Sequence, residues 1–405
     1  MQLDRTQFLE EGFLILRNVV PPDRLDALRD ACEIMVERQK EIWARERGPD
    51  DPPGGAWETS AQPRLGLGRQ PELIDEQTAA AVELWLHENT LGVAQQLLCR
   101  PEATIAFMSV MCNPVRDHGP DKWHRDVHPI DMGPLSNLQV DLVENGPRYV
   151  QWNIPLYDDS VLWVVPGSHR RLNTAEENHH LLQDPKAPLP GGVPVELNAG
   201  DGVAYANIFL HWGSAYNATL RRTLHGGHSI FSRNREKGFV RHLSPSSQDL
   251  FAEWDARGEL NQDRTYATLR AAVDGDAAAY RAGLEALHPG AGDSGKTVLN
   301  VFMCKAAQHL RVSKMTDREL QAVPEQVRRW SFADHPTTLN WGLDFRERFS
   351  AEEADVLWQR FSTMDAMLQA DTEQFIPGFQ SGPMGYYFEK SPHDIGVDAL
   401  VAGWN

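Results

Sequence analysis

His124 and Asp126 stand one residue apart in DKWHRDVHP, residues 121–129. In a strand, residues i and i+2 project on one side. An imidazole nitrogen and a carboxylate oxygen placed there can share a divalent cation. A chain with 15 histidines produces such a spacing by chance, so a third donor is needed. His211 is the candidate. It lies in NIFLHWGSAYNATLRRTLHGGHS (207–229), which reads as a strand, a turn at Asn217 and a returning strand. A hairpin centred between 216 and 217 opposes His211 to Arg222, and opposed residues of an antiparallel pair share a face. This register predicts an inward Arg222 and an outward Arg221; a slip of one residue exchanges them.

Two histidines and one aspartate leave about half of an octahedral shell open, a ligand set that suits non-haem iron(II). A neighbouring arginine can hold a carboxylate through its planar fork. Other residues near these positions carry a functional and a structural reading. Ser109 and Asn113 precede the metal segment and can meet a cosubstrate or belong to the sheet ladder. Trp123, Trp152 and Asn153 can line a pocket, although aromatics on a sheet face usually build core. His169, in the turn PGSH (166–169), can touch substrate or bond the loop backbone. His128 forms H-x-x-x-H with His124, but Arg125 follows the first histidine and Pro129 the second, which argues against a helical zinc site.

The elements that position these residues follow from pattern. A short helix and the strand-like GFLILRNVV (12–20) open the chain. A helix follows from Pro21 to about residue 47, with Leu25, Leu28, Cys32, Met35 and Val36 at helical spacing. Residues 48–71 read as a Gly/Pro loop and 73–98 as helical. From TIAFMSVMCNP (104–114) to GGHSIFSR (226–233), short β-rich runs alternate with turn signals, the signature of a sandwich, barrel or jelly roll. Beyond residue 245 the pattern is helical at 246–257, 264–287, 316–330 and 350–370, with Trp254, Trp330, Trp341 and Trp358 expected to bury large surfaces. The C-terminal GFQSGPMGYYFEKSPHDIGVDALVAGWN reads as irregular.

Composition narrows the class. With 41% apolar and 24% charged residues, a packed globular core is expected. The net charge of −18 argues against nucleic acid or an anionic membrane as partner. No apolar run of spanning length and no secretory leader pattern is present, and four scattered cysteines read as reduced thiols. The expected location is cytoplasmic.

Four segments in order resemble the phytanoyl-CoA dioxygenase family: FLEEGFLILRNVVPPDRLDALR, WHRD, LWVVPGSHRR and LNAGDGVAYANIFLHWGSAYNATLRR. The resemblance covers about residues 5–235. It implies an α+β fold with a double-stranded β-helix (a cupin-like jelly roll) from about residue 100, within a dioxygenase domain of residues 1–240. It implies iron(II) on His124, Asp126 and His211, with Arg222 on the distal carboxylate of 2-oxoglutarate and O₂ as co-oxidant. The expected reaction is hydroxylation of a small molecule with release of succinate and CO₂. Related halogenases have a small residue where Asp126 stands, so the aspartate points to oxygenation. The alternatives are a cupin-like metal-dependent hydrolase or isomerase, and a non-catalytic jelly-roll binding protein. The helical residues 241–405 exceed the family pattern. They are expected to pack on the core, shaping the pocket or forming a homodimer contact.

Overall fold

A computed structural model describes residues 3–68, 70–126, 135–230, 237–323, 347–369, 374–375, 385–386 and 396–404. Its strands are β1 (Phe13–Leu16), β2 (Arg64–Gly66), β3 (Thr104–Cys112), β4 (Gly119–Pro120), β5 (Tyr149–Pro155), β6 (Trp163–Val164), β7 (Val193–Pro194), β8 (Gly202–Tyr205), β9 (His211–Trp212), β10 (Ser214–Ala215) and β11 (Arg222–Ser229). A large antiparallel sheet has the order β1-β8-β5-β11-β3-β2; a smaller one has β7-β6-β9, with β10 paired to β4 beside it. An isolated bridge joins His124 to His211 and adds the metal segment to the edge of the smaller sheet. Two opposed antiparallel sheets with helices around them make the expected jelly roll in an α+β arrangement.

Strand alternation divides the large sheet into two chemically different faces. Val110, Cys112, Val150, Trp152, Ile154, Ala204 and Leu224 lie on the outer face, in one apolar core with helical residues such as Leu28, Cys32, Met35 and Trp85. The Leu25–Glu46 helix packs there because Leu28, Ala31, Cys32, Met35, Val36 and Ile42 form a buried stripe at helical spacing. On the inner face, Val203 and Tyr205 meet Leu162, Val164, Val195, Leu197 and Phe209. Gly226 permits a close approach on the outer side: a Cβ there would collide with the Phe107 carbonyl and the Trp85 ring.

The helical part differs from expectation in detail. Pro245–Asp274 is one continuous helix, started by a Ser244 cap and Pro245 and ended by Gly275 at φ +72°. Gly258, which interrupts the pattern, is buried inside it. Phe251 and Trp254 of this helix join the barrel-side core, while Leu269 and Ala272 join a second core. The Gly292–Ser313 helix in that second core was not visible as a periodic segment. Its buried face mixes Asn300, Lys305, Gln308 and His309 with apolar residues, and Lys305 is ion-paired with Asp365 at 2.8 Å. Of the segment expected as helix at 316–330, Asp317–Leu320 is helical and residues 324–330 lie outside the described residues; Trp358 is half-buried with Arg311 over its ring. Val397–Ala402 is helical rather than irregular, with Leu400, Val401 and Trp404 in the second core. Trp330 and Trp341 lie outside the described residues.

Arg125 locks the metal segment to the barrel. It lies between His124 and Asp126, is fully buried, and points to the opposite side. Its guanidinium donates to the carbonyls of Ser168 (2.7 Å) and Ile208 (2.6 Å) and to Asn173 Oδ1 (2.9 Å). Burial pushes its pKa down to about 9, which still leaves it charged at pH 7. Arg125→Leu strands these acceptors, so a loss of about 3 kcal/mol or more is expected in urea unfolding.

Candidate metal centre

The i, i+2 expectation for His124 and Asp126 agrees with the observed geometry. Reciprocal backbone bonds, His124 N to His211 O and His211 N to His124 O, both 3.0 Å, place the two histidines side by side. Their ring centroids are 4.2 Å apart. Each Nδ1 is engaged by a carbonyl two residues away: Lys122 for His124 (2.7 Å) and Phe209 for His211 (3.0 Å). These bonds fix the ring orientations and turn both Nε2 atoms toward Asp126. Each Nε2 lies 3.5 Å from one carboxylate oxygen, and the donor atoms of the three residues lie within 4.8 Å of one another.

The residues fit a divalent metal. Asp126 Oδ1 is buried and accepts no hydrogen bond among the described residues, a costly state unless another partner is expected. Burial and the neighbouring His211 push the His124 imidazole down to about 4, against the pull of Asp126. It is therefore the neutral, donor form at pH 7. Burial acts to raise the Asp126 carboxyl, but His211, His124 and a bond from Gln151 outweigh it and hold the group below the usual carboxylate range.

Gln151 was not singled out by sequence. Its Nε2 donates to Asp126 Oδ2 (2.8 Å) and meets the Tyr205 hydroxyl (2.9 Å). Asn207 Nδ2 donates to the Asp126 carbonyl at 3.0 Å. Alternation could have revealed Gln151: polar Gln151 and Asn153 interleave with apolar Val150, Trp152 and Ile154 on β5. His225, paired with Asn153 Oδ1 at 2.7 Å, is a further inner-face group that was missed.

Several expected site residues are elsewhere. Trp152 lies on the outer face in the main core, since it alternates with Asn153. Trp123 is fully buried, stacks on Trp212 at 5.4 Å and donates Nε1 to Ala187 O. His169 is fully buried with Nε2 on Leu9 O at 3.0 Å, tying the PGSH turn to the N-terminal helix. Ser109 faces inward, but its hydroxyl donates to His225 O at 2.9 Å, as a ladder residue would. Asn113 Oδ1 accepts from Arg221 N and Arg222 Nη1. Asn153 is on the inner face, and His128 lies outside the described residues.

The expected hairpin between His211 and Arg222 does not form. β9 pairs with β6, and β11 pairs with β3 and β5. Arg222 stands opposite Cys112 on the outer face. Its guanidinium engages Glu33 of the Leu25–Glu46 helix, Nε to Oε1 at 2.7 Å and Nη2 to Oε2 at 3.0 Å. Arg221 instead binds Asp159 Oδ2 at 2.8 Å, an oxygen that also accepts from Thr223 at 3.1 Å.

A jelly roll that gathers two imidazoles and a carboxylate between its sheets defines a mononuclear non-haem metal enzyme. Residues 8–223 match the phytanoyl-CoA dioxygenase (PhyH) family, more than half of the chain, and the protein belongs to that family. It is accordingly a non-haem oxygenase dependent on iron(II), 2-oxoglutarate and O₂, and it acts on a small molecule. Among solved structures it is similar to AviO1 from Streptomyces viridochromogenes Tue57, with 22% identity over 56% of this chain and 96% of that one and a TM-score of 0.37. EctD from S. alaskensis shares 16% identity over 58% of this chain and 79% of that one, TM-score 0.40. HygX from Streptomyces hygroscopicus, solved with nickel and 2-oxoglutarate bound, shares 16% over 56% and 87%, TM-score 0.39. No curated protein matches the chain. Among the described residues no helix is long and apolar enough to cross a membrane.

Gln151 engages one oxygen of Asp126 and leaves the other open. Gln151→Leu keeps the bulk and removes that bond, so iron(II) or cobalt(II) affinity measured by anaerobic calorimetry should fall by roughly 10- to 100-fold.

Proposed function

We propose that this protein hydroxylates an unactivated C–H bond of a small-molecule substrate, with His124, Asp126 and His211 as the iron ligands. The observation that carries this reading is the open, buried Oδ1 of Asp126, grouped with the ring nitrogens of His124 and His211. A carboxylate in that position supports oxygenation over halogenation, which in related enzymes uses a small residue there. When bound, iron(II) and 2-oxoglutarate supply O₂-driven oxidation of the substrate, with succinate and CO₂ as coproducts.

The chain's own residues hold geometry and limit water. Carbonyls of Lys122 and Phe209 pin the imidazoles. Gln151 pins the carboxylate. Tyr205 and Phe209 stack at 5.2 Å, and Phe209 and His211 at 5.4 Å, which gives the centre a close aromatic wall. Such a wall excludes solvent from one side and leaves the sheet interior toward Asn153 and His225 for organic ligands.

The test is a screen of candidate small molecules for stimulated succinate formation by the anaerobically iron-loaded protein, followed by ¹⁸O₂ labelling of the product. A labelled alcohol is expected, and His124→Ala and Asp126→Ala should fall to background. Retained turnover in His124→Ala would remove the ligand assignment. A desaturated or cyclised product in place of the alcohol would overturn hydroxylation.

A further inference from the structure

Tyr149 opens β5, at the centre of the large sheet. It shares a side of the strand with Gln151 and Asn153. That side is the inner one, because Gln151 bonds Asp126. Cross-strand register supplies its neighbours. One inner row runs Tyr205, Gln151, Gly227, Phe107, and the next holds Asn153, His225 and Ser109. A Cβ at Gly227 would strike Cζ and Oη of Tyr149. The tip of the Tyr149 ring therefore lies where the first row lacks a side chain, between Gln151, which holds the metal cluster, and Phe107.

Exposure separates these residues. Gln151, Asn153, His225 and Ser109 are buried, whereas Tyr149 and Phe107 are half-buried. The two aromatic side chains are thus the part of this surface that reaches open space. Phe107 meets the His225 ring edge-on at 6.2 Å. The Tyr149 hydroxyl makes no hydrogen bond among the described residues. Burial, with the charge of Asp126 adding to it, pushes the phenol above its usual range, so it stays a donor. No acidic or basic side chain stands in either row. His225 is neutral at pH 7, since burial and then Arg64 push it down to about 3, and its Nδ1 is engaged by Asn153. An uncharged surface with two open aromatic groups and one unused hydroxyl suits a ring that stacks and carries a single acceptor.

We infer that Tyr149 and Phe107 form the substrate shelf of the cleft, that the shelf takes a ring-bearing, uncharged molecule, and that the Tyr149 hydroxyl donates to an oxygen of that molecule. The inference rests on the oxygenase reading above and names the substrate class for the same site.

The test uses the full chain as wild type, Tyr149→Phe and Phe107→Leu, loaded anaerobically with iron(II) and 2-oxoglutarate. Calorimetry compares four probes: 1-tetralone, a ring ketone; tetralin, the same rings without the oxygen; 2-decanone, an open-chain ketone; and tetralin-2-carboxylate, which carries charge. Wild type is expected to bind 1-tetralone most tightly. Tyr149→Phe should weaken 1-tetralone by about 3- to 10-fold and leave tetralin unchanged. Phe107→Leu should weaken both uncharged ring probes by a similar factor and leave 2-decanone unchanged. The melting temperature and the 2-oxoglutarate affinity of Tyr149→Phe should stay at wild-type values. A wild type that binds 2-oxoglutarate but prefers the open-chain or charged probe, or binds none of the four, overturns the substrate class and leaves the oxygenase reading standing. An unchanged preference for 1-tetralone over tetralin in Tyr149→Phe overturns the role of the hydroxyl. Weakened 2-oxoglutarate binding in that variant assigns the ring to the cosubstrate and overturns the shelf. A wild type that binds no 2-oxoglutarate overturns the oxygenase reading, and this inference with it.

Discussion

Two backbone hydrogen bonds between His124 and His211 support everything that happens at the centre. They join segments far apart in sequence and place both imidazoles against one carboxylate. The alternation His124–Arg125–Asp126 then does two tasks at once. Its odd-numbered member is buried among carbonyls of the Ser168 turn and Ile208; its neighbours turn the other way, toward each other. A charged side chain with this many buried acceptors resists rotation of the segment, because each lost bond leaves a desolvated carbonyl. The metal centre is held by its back as much as by its front.

The same alternation separates the work of the large sheet. Its outer face is apolar and covered by helices. Its inner face carries the polar set Ser109, Gln151, Asn153, Thr223 and His225. Adjacent arginines at a strand start are sent to different tasks by this parity. Arg222 ties the sheet to the Leu25–Glu46 helix through Glu33, and Arg221 joins Thr223 on Asp159. Neither guanidinium is left without a carboxylate.

The candidate donor group is legible in the sequence because its chemistry is local in kind: a donor pair at strand spacing, and a histidine inside an apolar run, which the structure brings within 4.8 Å of one another. The β-rich middle and the amphipathic first long helix were legible from periodicity. For Trp123, Trp152 and His169 the sequence leaves a functional and a structural reading open, and burial favours the structural one: Trp152 and Trp123 lie in core and His169 bonds the Leu9 carbonyl. The Gly292–Ser313 helix is not legible as an apolar stripe, because its buried face is interrupted by Lys305, Gln308 and His309.

By itself the sequence determined the donor types, their order along the chain, the family they belong to, and the strand alternation that puts His124 and Asp126 on one side. The tertiary structure alone decided which strands pair. His211 lies beside His124 and Val164 rather than opposite Arg222, and that choice sends Arg222 outward. The physical reason is that pairing is set by packing of two sheets and their helical cover, a long-range condition, while a side chain's face changes with a shift of one residue.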